Sequence, residues 1–109
     1  MSSIANPEVL ALAELLGVAV SDTERRTGLL RIVDALGKRG HVVVLKWDGQ
    51  RNPEMGDNGA FTAIISGGDL AGEFFRRDDE TLEGAIEYVL TGYARWAMKR
   101  SSTGIADAP

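Results

Sequence analysis

His41-Val42-Val43-Val44-Leu45-Lys46-Trp47 is the stretch on which the fold turns. It is β-branched and aromatic, and it is too short for an independent helix, so it is predicted as a strand. Alternation then places His41, Val43, Leu45 and Trp47 on one face, with Val42, Val44, Lys46 and Asp48 on the other. Downstream, residues 49–59 hold Asn52, Pro53, Asn58 and the glycines 49, 56 and 59, which is loop chemistry. A second strand is expected from Ala60 to Ser66, with Phe61, Ala63 and Ile65 sharing a face. Gly67-Gly68-Asp69 turns the chain, and Gly72 to Arg77 reads as a third strand. Three short strands joined by hairpin-sized connections predict an antiparallel meander.

Helical signals surround this meander. Asn6-Pro7-Glu8 joins a cap residue, a proline suited to the first helical position and an acid favoured by the helix dipole, so a helix is predicted from Pro7 to Leu16. Only Glu8 and Glu14 are polar within it, and a helix apolar all round must be covered all round. Ser21 followed by Glu24 fits a capping box for a second helix running to about Lys38, with Leu29, Leu30, Ile32, Val33 and Leu36 facing inward. After the strands, Asp79 is the expected cap of a last helix. Leu82, Ala85, Ile86, Val89, Leu90, Tyr93, Trp96 and Ala97 form its apolar stripe. The predicted architecture is α+β in the order α-α-β-β-β-α, one domain over residues 1–100, with the last helix covering the sheet and a disordered tail at 101–109. A winged-helix-like arrangement is the alternative.

The 109 residues carry a net charge of −4, one histidine and no cysteine. Disulfides, thiol nucleophiles, Cys-rich zinc sites and multi-histidine metal centres are thereby excluded, so no catalytic residue, metal or cofactor is expected. No run approaches the ~20 apolar residues of a membrane span, and the N-terminus lacks a basic signal region, so the expected location is the cytoplasm with no membrane partner. Neither GxxxxGK[ST] nor GxGxxG occurs. From Arg31 onward the order helix, three strands, helix is shared with double-stranded-RNA-binding domains. Their phosphate-bridging lysines fall where this chain has Asp78, Asp79, Glu80 and Glu83, so the likeness ends at the order of elements.

Three surfaces remain as candidates. Asp78, Asp79, Glu80, Glu83 and Glu87 form an acidic strip able to steer a basic protein partner. Arg25, Arg26, Arg31 and Lys38 on the second helix are the alternative, a nucleic-acid patch, although nucleic acid is disfavoured by the overall charge. Leu12, Leu15 and Leu16 on the all-apolar first helix, with Gly84, Tyr88 and Gly92 at four-residue steps on the last, are expected dimer contacts, because small residues admit a second backbone. The expectation is a small acidic protein-binding or regulatory module acting as a homodimer. A nucleic-acid-binding regulator is the alternative, and a carboxylate- or metal-dependent enzyme is the less favoured one. His41 is expected to be a satisfied structural or surface residue.

Overall fold

A computed structural model describes residues 3–51, 54 and 59–107, with side chains described through Arg100. Its order is α1 (Pro7–Leu16), α2 (Arg25–Lys38), β1 (His41–Trp47), β2 (Phe61–Gly67), a short 3₁₀ turn (Gly68–Leu70), β3 (Phe75–Asp79) and α3 (Leu82–Asp107). The strands form one antiparallel sheet in the order β1-β2-β3, with Val44 opposite Ile64 and Ile64 opposite Arg76. Helices α2 and α3 cover one face of it, and α1 packs on α3. This is the α+β meander of the sequence prediction and not its winged-helix-like alternative.

Local chemistry sets most boundaries. The Asn6 carboxamide accepts the amides of Glu8 (2.9 Å) and Val9 (3.2 Å), and Gly17 ends α1 in the left-handed conformation (φ 72°) that glycine adopts without a Cβ clash. The capping box does not form. Ser21 lies in a turn closed by Thr23 N–H on Val20 O, and the Glu24 carboxylate itself caps α2 through the amides of Arg26 and Thr27. β3 starts later than Gly72, because Ala71 (φ 54°) and Gly72 (φ 93°) prolong the turn with left-handed backbone. Asp79 closes β3 instead of capping α3. The cap falls to Thr81, whose Oγ1 accepts the Gly84 amide at 3.0 Å. The backbone of α3 continues past Arg100 to Asp107, into the segment predicted as tail; a helix need not stop before the approach to Pro109.

The core joins Leu29, Ile32 and Leu36 of α2, Ala63 and Ile65 of β2, and Ile86, Val89 and Leu90 of α3. From α1 it takes Val9, Leu12 and Ala13. The all-apolar α1 is therefore covered on one side only, leaving Leu10 36% and Leu15 52% exposed. No helix among the described residues is long and apolar enough to cross a membrane.

Candidate functional site

The acidic strip and the basic patch turn out to be partners of each other. Arg25 lies 2.5 Å from Glu87 and Arg26 lies 3.0 Å from Glu83, so α2 and α3 are joined by a charged seam. The hydrogen bond from Arg26 holds the Glu83 carboxyl below its ordinary range, and the bond to Glu87 raises the Arg25 guanidinium. Asp78 leaves the strip altogether. It points to the sheet face away from the helices, accepts from the Thr62 hydroxyl at 2.5 Å, and sits 3.5 Å from both Arg51 and Arg76. Asp79 pairs with Arg77 and accepts the Thr81 amide, while Glu80 is exposed. In the basic set, Arg31 donates to Ala19 O and Thr23 Oγ1, and Lys38 is exposed in the last turn of α2.

The expected dimer contacts divide in the same way. Leu12 is fully buried inside the chain, Leu16 is half-buried and Leu15 is exposed. Gly84 and Gly92 do admit close neighbours, but these belong to this chain. A Cβ on Gly92 would stand 2.8 Å from the Phe75 ring, and one on Gly84 would stand 2.7 Å from Thr81 Oγ1. What the glycines let approach are therefore side chains of β3 and its following turn, Phe75, Asp79 and Thr81. Tyr88 between them is 56% exposed and lies under the Arg77 guanidinium, 4.7 Å from the ring centre.

His41 is buried and fully hydrogen-bonded, as expected. Its Nδ1 lies 3.1 Å from Gly67 O and, because a carbonyl only accepts, donates to it. Nε2 lies 2.9 Å from the Tyr93 hydroxyl. Burial, and next the Asp69 carboxylate, raise the Tyr93 phenol above its usual range. Asp69 approaches Nε2 at 3.6 Å from a hollow of about 260 Å³ that also meets Arg39, Trp96 and Arg100. Arg100 donates to Asp69 O at 2.8 Å and stacks over Trp96, so the polar walls of this hollow satisfy one another. Among the described residues no cluster of three or more His, Asp or Glu could hold a metal.

What sequence reasoning missed is the sheet face turned away from the helices. Register puts Val42 and Ser66 in one row, with Phe74 immediately before the start of β3, Val44, Ile64 and Arg76 in the next, and Lys46, Thr62 and Asp78 in the third. The third row is closed by Arg51, which also bonds Asp48 and Gly59 O, so that Thr62 is only 2% exposed. The first two rows are open: Val42 is 54%, Val44 43% and Phe74 61% exposed. The alternation of β1 signalled two of these residues, but nothing local said that this face lacks a covering helix. Asn52, Pro53, Gly56, Asp57 and Asn58 of the intervening loop lie outside the described residues. In comparisons with protein-family models, curated proteins and solved structures, nothing matches the chain.

Proposed function

We propose that the chain is a small non-enzymatic protein-binding module, acting as a cytoplasmic homodimer, whose contact surface is the open face of its sheet. The observation that carries this reading is the exposure of Val42 and Val44 on the face they share with Ile64, with Phe74 exposed immediately before β3. Apolar patches of this kind mark interaction sites more often than inert surface. Lys46 and Arg76 flank the patch with side chains 55% and 50% exposed, each beside a carboxylate of this chain, so the surface favours a partner presenting apolar side chains. The acidic strip supports partner steering less well, since Glu83 and Glu87 are held by arginines of α2. The same pairing draws Arg25 and Arg26 away from phosphates, so the nucleic-acid alternative has no observation in its favour.

Affinity capture after nuclease treatment, with wild-type and Phe74→Ser baits, tests the reading. The expected result is a protein retained by the wild type and reduced at least about tenfold by Phe74→Ser, as for an interface anchor. Equal retention by both baits, or bound material that disappears with nuclease, would overturn it.

A further inference from the structure

We infer that β1 is a dimerisation edge, at which two copies pair antiparallel about a two-fold axis through Val44 and join their sheets into one of six strands. This rests on the homodimer part of the reading above and names the surface that makes it. The two edges of the sheet are unlike. β3 is five residues long and carries Arg76, Arg77, Asp78 and Asp79 in succession, a charged edge that resists strand addition. β1 is seven residues long, with Lys46 as its one ordinarily charged residue and neither proline nor positive-φ residue within it. Among the described residues no strand pairs with its outer side.

The direction of the backbone groups narrows the register to axes that pass through a residue of β1, of which Val44 is the middle one. Asp48 N–H donates inward, to Ala60 O of the β2 side, at 2.7 Å. Amides alternate along a strand, so those of Lys46, Val44 and Val42 also point to β2, and those of His41, Val43, Leu45 and Trp47 point out. A two-fold axis at Val44, the middle residue of β1, sets Val43 opposite Leu45 of the second copy and His41 opposite its Trp47. Each of these outward residues then meets another outward residue, and each pair exchanges two N–H···O bonds. An axis one half-step away would set outward groups against inward ones. The antiparallel sense, about an axis perpendicular to the sheet, also keeps the open faces of both copies on one side of the joined sheet. On the open face, Val44 meets its own copy and Val42 meets Lys46 of the second copy. The exposed valines of β1 thereby become the centre of a single apolar platform.

Sedimentation equilibrium from about 1 to 200 µM reads the association directly. The wild type is expected to be dimeric in this range. Val44→Lys, at a solvent-facing position whose folding is checked by near-ultraviolet circular dichroism, sets two lysines face to face at the axis, and the dissociation constant should rise at least about tenfold. Val42→Glu does the reverse: it faces Lys46 of the second copy, and at low salt the dimer should tighten about twofold or more, a gain that high salt removes and that misfolding cannot imitate. A wild-type dimer indifferent to both substitutions would overturn the β1 edge while leaving a homodimer built on another surface. A monomer throughout the range would overturn the edge and the homodimer together, and the Phe74→Ser capture would still decide the protein-binding reading independently.

Discussion

His41 shows how much one side chain can fix in a small domain. Both ring nitrogens are hydrogen-bonded, one to the turn after β2 and the other to the middle of α3, and Gly68 lies so near that a Cβ there would come within 2.7 Å of Nδ1. His41→Ala leaves the buried Tyr93 hydroxyl without this partner and opens a void, so chemical denaturation should show a loss of about 2–4 kcal/mol. Tyr93 gives a pH signature of its own. Its folded-state value is raised, so its contribution is fully present below the ordinary tyrosine range and is lost as pH rises through the raised value. The stability of the wild type should therefore decline at alkaline pH more steeply than that of Tyr93→Phe. Lack of cysteine and the single histidine made the absence of a histidine relay legible in the sequence. The Tyr93 partnership was not, because it joins residues 52 positions apart whose only link is the packing of a helix on a strand.

At the scale of elements, glycines in helices have opposite meanings according to what stands beside them. Gly92 faces the Phe75 ring, and Gly92→Ala should cost about 1–2 kcal/mol, the helix propensity gained being smaller than the overpacking. Gly37, in the last turn of α2, has nothing within 4 Å, and Gly37→Ala should raise stability by up to about 1 kcal/mol. Thermal melts of the two variants, moving in opposite directions, check the assignment. The sequence located both glycines and suggested a close neighbour for Gly92, but attributed it to a second chain. Helix periodicity reports that a small residue is needed; it does not report which neighbour comes near. For the same reason the element order and the β1 faces were legible from period and β-branching, while the starts of α2 and α3 were displaced. Glu24 and Thr81 compete with Ser21 and Asp79 as caps, and the winner depends on where the preceding turn ends.

Across the whole molecule, part of the acidic strip and part of the basic patch resolve into an internal pairing. Arg25 and Arg26 of α2 face Glu87 and Glu83 of α3, and the seam joins the two helices. A strip and a patch that look like rival binding surfaces in one dimension can thus be two sides of one joint. The open sheet face escaped notice because solvent-facing alternation ends with polar residues as readily as with valines, and only the finished layer arrangement shows which face lacks helices. Since dimerisation favours the folded state by mass action, the melting midpoint should rise with protein concentration, and Val44→Lys should abolish that rise. A midpoint independent of concentration in the wild type would count against association.

The asymmetry between the two sheet edges also determines where assembly stops. Joining at β1 uses up the uncharged edge of each copy and leaves the charged β3, with Arg76, Arg77, Asp78 and Asp79, at both ends. An isologous contact of that kind closes on itself, so growth terminates at a pair and a fibre has no edge on which to propagate.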